Sequence, residues 1–461
     1  MLHKTINKYI AKIDIIKNIF YRKNKLKQLI LQVWLLILSV SILMVSRGLG
    51  SAFIGVRAQI EDFSISWITF IQGCSYIGFM ISGMFVPKIL RNIGHIRVFA
   101  TCASLSSVVP LFQSMFISPH YWAFFQIFFG IGIAGSYIVI EGWLNEASDN
   151  ANRGKLFGLY SLISMFIASA SPLLIGPIPP ESIVLFLIIS ITSSLAFIPV
   201  AVGAKWTPTY AESETMSYKT LFKRSPFGMI SFKFSLIIIN TLFMIFIVYA
   251  IKAGFSLKVG TKSFLFMGVL SIFTTYTLGY LSDKMDRRYL IIFSSGVSII
   301  FAYMMKMSVD NGDEYWFLIS SVGLGGFLFT LYPLIVSHIS DRLKVTEILS
   351  ASSWMVLLSS IMGAIGTISI GPIMETFGIS AFPYLIMICL LVNCVYGMYR
   401  IYVRKGVSSE EQVDFVSISS LSNTVIEQDI YKMKKKKKKK KVRKTKAKIN
   451  NKKNKKKAKR R

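Results

Sequence analysis

Acidic residues are scarce in this chain of 461 residues, and so is charge as a whole. Asp and Glu number 22 against 53 Lys and Arg, and charged residues make up only 16% of the sequence. In soluble globular proteins about a quarter of the residues are charged. This chain is instead 53% hydrophobic. The composition therefore excludes an ordinary soluble protein and indicates a protein of the membrane.

Cysteines and catalytic motifs are scarce too. The four cysteines lie within apolar runs, without the spacing of a disulfide framework or a zinc site. No G-x-x-x-x-G-K-[ST] loop, nucleophile elbow or cofactor loop occurs. We therefore expect no enzymatic activity, no catalytic residues, no bound metal and no cofactor, and nothing indicates ATP coupling on this chain.

Long apolar runs are what the sequence does contain. A helix needs about 20 apolar residues to cross a bilayer. Twelve runs of about this length predict an all-α membrane protein with twelve transmembrane helices, over residues 29–56, 67–87, 97–117, 121–144, 156–176, 182–203, 229–251, 262–282, 289–307, 315–338, 347–372 and 380–402. The even number of spans places both termini on the same side.

The basic residues give the orientation. Loops on the side of the termini are rich in Lys and Arg, whereas the opposite side has only Arg57, Lys252, Lys258, Lys262 and Lys306. Because cytoplasmic loops carry the excess of Lys and Arg, we predict a multi-pass protein of the cytoplasmic (inner) membrane. Both of its termini are then cytoplasmic.

A polar stretch between the sixth and seventh spans and features that recur in both halves indicate the domain organisation. Three features of the first half recur in the second at a nearly constant offset: Arg91 as Asp283, Gly130 as Gly323, and Tyr137 as Tyr332. Such duplication is typical of one large transporter architecture. We predict five segments: a basic cytoplasmic segment 1–28, pseudo-symmetric six-helix halves 29–203 and 229–402, a cytoplasmic linker 204–228, and a disordered Lys-rich cytoplasmic tail 403–461.

Several motifs resemble those of a known family. Gly279-Tyr-Leu-Ser-Asp283-Lys-Met-Asp286-Arg287-Arg288 has the spacing G-x-x-x-D-[RK]-x-G-[RK]-[RK], with Asp286 in place of the usual glycine. This spacing resembles the loop motif of the major facilitator superfamily. Four further segments resemble hallmarks of its YcaD-like branch of transporters. They are Gly55-Val-Arg57-Ala, Gly94-His-Ile-Arg97-Val-Phe-Ala, Glu141-Gly-Trp143-Leu-Asn145, and Leu331-Tyr332-Pro333 followed by Ser337-His338-Ile-Ser-Asp341-Arg342.

The resemblance implies a monomeric secondary active transporter that moves a small solute between its two halves by alternating access. Two positions depart from the superfamily pattern. Arg91 stands where the first-half loop motif usually has its acid, and Gln126 stands where many relatives have an arginine associated with proton coupling. The resemblance therefore leaves the coupling ion open. A second hypothesis is a non-transporting receptor or scaffold with the same fold.

Arg47 is the first candidate for a substrate-cavity residue. It lies about 18 residues into the first span, where a charge is costly unless it faces a protein-lined or watery cavity. In one interpretation Arg47 binds a carboxylate or another anion. In the other the helix ends earlier and Arg47 extends to the outer headgroups.

The fourth span supplies the other cavity candidates. On a helix, Gln126, Gly130, Tyr137 and Glu141 fall within about 60° of one another. This stripe predicts that one side of the span lines a cavity or contacts another helix. Glu141 is interpreted either as a protonatable coupling site or as a fixed partner of a basic residue, Arg153 or Arg91.

Charged residues at the cytoplasmic loops are candidates for a gate. Asp283 would contact the start of span five at Arg153, and by pseudo-symmetry Arg91 would meet Glu347 at the start of span eleven. A carboxylate is favoured beside a cation or a helix N-terminus, so both contacts would hold the cytoplasmic side closed. The alternative is that these residues are solvated charges that only set the topology.

The tail from Lys432 to Arg461 holds 21 basic residues and no acid. Beside a membrane, anionic lipid attracts such residues by about 1 kcal/mol each. Nucleic acid would attract them without sequence specificity. Because the chain tethers the tail to the bilayer, we expect anionic lipids as its partner and no specific nucleic acid.

Overall fold

The structure, a computed structural model, describes residues 34–147, 153–203, 216–343, 347–403 and 412. All regular structure in these ranges is helical. The helices are α1 (Trp34–Ile60), α2 (Ile65–Ile93), α3 (His95–Met115), α4 (Pro119–Ala147), α5 (Arg153–Ala170), α6 (Val184–Leu195), α7 (Phe197–Gly203), α8 (Tyr218–Arg224), α9 (Pro226–Lys252), α10 (Leu257–Ser282), α11 (Arg287–Asn311), α12 (Glu314–Ser340), α13 (Ile348–Phe377) and α14 (Ala381–Val403).

Twelve helical stretches in the described ranges are long and apolar enough to cross a membrane, and α6 with α7 forms the sixth. This confirms the predicted all-α fold with twelve transmembrane helices. The predicted basic segment 1–28 and the tail 403–461 lie outside the described residues, except for Val403 and Gln412. Their roles stay predictions.

Three boundaries differ from the predicted ones. The helix α1 continues to Ile60, so Arg57 lies in the helix and not in a loop; there its Nε donates to Glu61 Oε1 at 2.7 Å. The sixth span is interrupted between α6 and α7. The predicted linker contains α8, and α9 already begins at Pro226, because proline suits the first turn of a helix, where its missing N–H is not needed.

Polar residues and glycines define the ends of the helices. Ser64, Ser256 and Asp313 accept a backbone N–H in the first turn of α2, α10 and α12, respectively. Such caps satisfy donors that the helix itself leaves unpaired. Gly312 ends α11 with φ of 67°, a left-handed conformation that glycine adopts without strain. These residues fix where α2, α10 and α12 begin and where α11 ends.

Among the described residues, the two halves contact each other mainly along two seams, between α2 and α13 and between α5 and α10, and α9 also contacts α2. Glycines allow the close approach. A Cβ at Gly371 would overlap Thr69 and come within 2.8 Å of the Ile65 carbonyl oxygen, and a Cβ at Gly268 would overlap Ser169. We call the side of the bundle with Trp34 and Val403 the terminal face and the other side the opposite face. All four cysteines are buried inside the bundle.

Candidate functional site

A cavity lies between the two halves at mid-height of the bundle. It holds about 880 Å³ of open space with its mouth included. Its described wall comprises Met44, Arg47, Ser161, Leu162, Ser164, Met165, Ala168, Ile239, Asn240, Phe243, Ser271, Ile272, Thr275, Phe329, Tyr332 and Pro333. On α10 and α12 these residues lie past the middle of the helix towards the terminal face, whereas on α9 Asn240 and Phe243 lie past the middle towards the opposite face.

Arg47 is the charged side chain among the described wall residues. It lies at the middle of α1 and is 9% exposed. Three aromatic rings surround its guanidinium carbon, with centroids at 4.8 Å for Phe243, 5.6 Å for Phe79 and 5.9 Å for Tyr137. Ring faces stabilise a cation electrostatically. Arg47 thus lies at the cavity and not at the outer headgroups, where the alternative interpretation would have it.

Arg47 has no carboxylate as a partner among the residues that the structure describes. Its Nε is buried and makes no hydrogen bond. A guanidinium remains protonated in a protein, and a buried charge without an acceptor is costly. The rings offset only part of this cost, because the buried Nε still lacks an acceptor. The arrangement can therefore bind an anion that enters the cavity.

A second, smaller pocket adjoins the other side of this arginine. It holds about 430 Å³ of open space, and its wall includes Phe79 and Tyr137, two of the rings around Arg47. Asn240 lines both the pocket and the cavity. Its Nδ2 donates to the Ser359 carbonyl at 2.9 Å, and its own backbone carbonyl accepts from Tyr76 Oη at 3.1 Å. These bonds join α9 to α13 and to α2 beside the candidate site.

Glu141 lies behind the cavity wall. It is 1% exposed and accepts a hydrogen bond from Tyr160 Oη at 3.1 Å. One helical turn away, the Tyr137 hydroxyl contacts the Met44 sulfur. The side chain of Arg153, one of the predicted partners of Glu141, lies outside the described part of the structure. Tyr160 is a contact of Glu141 that the sequence pattern did not indicate.

Gln126 lies in a contact between helices, one of the two alternatives that the stripe on the fourth span leaves open. Its Oε1 accepts from Gln113 at 3.0 Å and its Nε2 donates to Ser75 at 2.8 Å, so it joins α4 to α3 and α2 within the first half. It is not part of the described cavity wall. The polar stripe on α4 therefore divides: Gln126 and Gly130 serve helix contacts, while Tyr137 reaches Arg47.

A buried ion network lies at the terminal end of the second half. The Arg287 side chain is fully buried, with Asp283 Oδ1 at 3.3 Å and Asp341 Oδ2 at 3.4 Å. Next to it, Asp286 caps α11 by accepting from the Arg288 backbone N–H at 3.0 Å, and it also pairs with the Arg288 guanidinium at 2.6 Å. The acid that replaces the motif's glycine thus serves as cap and counter-ion at once.

The gate candidates are only partly described. Asp283 is 38% exposed and contacts Arg287 of its own half. The structure pairs Glu347 with Arg224 of α8 at 2.9 Å, a partner that the sequence pattern did not indicate. Arg91 lies exposed near the end of α2. The contacts between halves that were predicted for Asp283 and Arg91 stay predictions.

The opposite face contains a contact between the halves that no sequence pattern indicated. Glu375 near the end of α13 accepts from Ser66 of α2 twice, from the backbone N–H at 3.0 Å and from Oγ at 2.6 Å. Ser66 is in the first turn of α2, where a carboxylate is favoured by the free N–H groups and by the helix dipole. Glu375 is exposed and Ser66 is half-buried at this end of the seam.

Comparison with known proteins gives the class. The family model of the Major Facilitator Superfamily matches residues 30–367, and the chain belongs to this superfamily of membrane transporters. It is 24% identical over 369 residues to the uncharacterized MFS-type transporter YfkF of Bacillus subtilis (strain 168), with 77% of this chain and 92% of YfkF covered.

The fold is also similar to that of solved transporters. Two crystal structures are of a bacterial homolog to the human lysosomal transporter Spinster in inward-facing conformations, one occupied and one unoccupied. The occupied one has a TM-score of 0.64 at 12% identity and covers 85% of this chain and 98% of the other. The unoccupied one has a TM-score of 0.59 at 12% identity, over 80% and 94%.

Proposed function

We propose that this protein is a secondary active transporter that moves a small solute through the cavity between its halves by alternating access. The observation that carries the proposal is the cavity itself, because both halves contribute to its wall and a rocking motion would change the side from which it is reached. Arg47 would hold an anionic group of the solute.

The same proposal covers orientation and attachment. Both termini and the 204–228 linker would lie in the cytoplasm of a cell whose inner membrane holds the protein, and the tail 432–461 would be attracted to anionic lipid. Single cysteines at Ser213 and Ser409 should then resist an impermeant thiol reagent in intact cells. Labelling of either from outside would contradict this orientation.

Coupling is proposed at Glu141. Its burial and its hydrogen bond from the Tyr160 hydroxyl make its carboxylate a candidate for binding and releasing a proton during transport. Glu141→Gln would then uncouple uptake from a proton gradient while leaving exchange of solute across the membrane intact.

Filling the cavity tests transport even before the solute is identified. Ser164 of α5 faces the cavity and is 2% exposed, whereas Phe166 of the same helix is 50% exposed on its outer side. Metabolite levels of a deletion strain should return to the parental ones with the wild-type gene and with Phe166→Trp, but not with Ser164→Trp at equal abundance. Full rescue by Ser164→Trp would contradict transport through this cavity.

A further inference from the structure

The described wall of the cavity carries positive charge and no negative charge. Among the described wall residues Arg47 carries the full charge, and the others are apolar or neutral polar groups such as Asn240, Ser271 and Thr275. Glu141 is 1% exposed, accepts a hydrogen bond from Tyr160 and is not one of the described wall residues. A ligand in the cavity therefore meets one cation and, within the described wall, no carboxylate.

The positive charge of Arg47 limits the charge that a bound solute can carry. One negative group on the ligand neutralises Arg47 and gives its unpaired Nε an acceptor. A second negative group would be desolvated without a cation. An ammonium group would face no described carboxylate in the wall and would be repelled by Arg47. Zwitterionic amino acids, dianions and organic cations are all disfavoured for this reason.

The apolar residues of the wall favour a solute whose uncharged part is also apolar. Leu162, Met165, Ile239, Ile272 and Phe329 give the cavity an apolar surface, and burial of apolar area stabilises a complex in proportion to that area. Beside Arg47, the Phe243 ring faces the cavity, and its centroid is only 4.8 Å from the guanidinium carbon. An aromatic or aliphatic body attached to the anionic group would pack against this ring and this wall.

We propose that the cavity selects monovalent organic anions with an apolar body and rejects zwitterions, dianions and cations of the same skeleton. This inference rests on the proposed function for the place of the site and adds the class of substrate. Five compounds with one phenylpropyl skeleton separate the features: 3-phenylpropanoate, phenylalanine, benzylmalonate, 3-phenylpropylamine and 3-phenylpropanol. Acetate tests the need for the apolar body.

The first measurement is equilibrium binding to the full-length protein in nanodiscs at neutral pH. We expect 3-phenylpropanoate to bind at least about tenfold more tightly than the other five probes, because each lacks the single negative charge, lacks the apolar body or adds an unpaired charge. Equal affinity for 3-phenylpropanoate and phenylalanine, benzylmalonate or the amine would overturn the proposal.

Substitutions test whether Arg47 and the cavity wall cause the preference for 3-phenylpropanoate. Arg47→Gln should remove the preference for 3-phenylpropanoate over the alcohol, and Arg57→Gln should keep it, because Arg57 lies on the same helix but pairs with Glu61. Adding an acid to the wall with Thr275→Asp should weaken 3-phenylpropanoate binding, whereas the uncharged Thr275→Asn should not. An unchanged preference in a folded Arg47→Gln protein would overturn the assignment.

Uptake into proteoliposomes separates this proposal from that of transport. Binding of 3-phenylpropanoate with the expected preference but without uptake would support the substrate class and contradict transport. Uptake of phenylalanine or benzylmalonate in preference to 3-phenylpropanoate would contradict the substrate class and leave transport intact.

Discussion

The two faces of the bundle are stabilised in different ways. At the opposite face, Glu375 of the second half binds Ser66 of the first directly. At the terminal face, the described ion pairs of Arg287 and Arg288 join residues of the second half, and Arg224 of α8 pairs with Glu347. The described contacts therefore differ in kind: at the opposite face they join the two halves, whereas the described ion pairs of the terminal face stabilise the second half and attach α8 to it.

Removal of Arg287 should have the largest effect. In Arg287→Leu the Asp341 carboxylate, 2% exposed, loses its buried cation, and breaking such a pair costs about 3–5 kcal/mol. We expect a markedly lower thermal unfolding midpoint of the purified protein. Lys306→Leu on the same helix is the control, because its pair with Asp310 is at the surface. Equal midpoints for both variants would contradict a stabilising role of the terminal network.

A methyl group at Gly371 should have the next largest effect. In Gly371→Ala the Cβ meets the backbone of Ile65 and Ser66 at 2.8 Å and overlaps Thr69, and such overpacking costs about 1–3 kcal/mol. The α2–α13 seam should therefore open at the opposite face. Spin labels at Tyr121 and Phe377 should report longer distances.

The same seam supplies the matched control. Gly83 lies on α2 nearer the terminal face, and a Cβ there would meet only Val356 Cγ1 at 3.5 Å, an ordinary contact. Gly83→Ala should leave the distances unchanged. A larger shift in Gly83→Ala than in Gly371→Ala would show that the opposite face is not the tighter one.

Loss of the Glu375 charge should have the smallest effect. Glu375→Gln keeps the size of the side chain but weakens both bonds to Ser66, which at an exposed site contribute about 0.5–1 kcal/mol in total. The fraction of molecules with a long Tyr121–Phe377 distance should rise a few-fold. The change has the same direction as in Gly371→Ala. Glu314→Gln, an exposed acid at the same face, should have no effect; if the two variants behave alike, Glu375 does not close this face.

The sequence predicts the fold well because the bilayer imposes one strong rule, about 20 apolar residues for each span. For Arg47 it leaves two places open, the cavity and the outer headgroups, because a permanent charge in a span must find a cavity, a partner or water; the geometry decides for the cavity. The broken sixth span and α8 were missed, because a helical break inside an apolar run and a short polar helix leave no clear mark in hydropathy.

The partners of polar residues were harder to predict. Helical periodicity gives the side of α4 on which Gln126 lies, but not which neighbours cover it. Those neighbours are α3 with Gln113 and α2 with Ser75. Glu375 and Ser66 are 309 residues apart, and no local pattern links them. Asp286 departs from the motif in sequence, and only its geometry shows that it both caps α11 and pairs with Arg288.

The burial of all four native cysteines has a practical consequence. Cys74, Cys102, Cys389 and Cys394 are enclosed by neighbouring helices, so a water-soluble maleimide or methanethiosulfonate has no ready thiol on the folded protein. Site-directed tags can therefore be introduced in the natural background, without first building a cysteine-free version. Fluorescence or electron-resonance signals would then come from the engineered position alone.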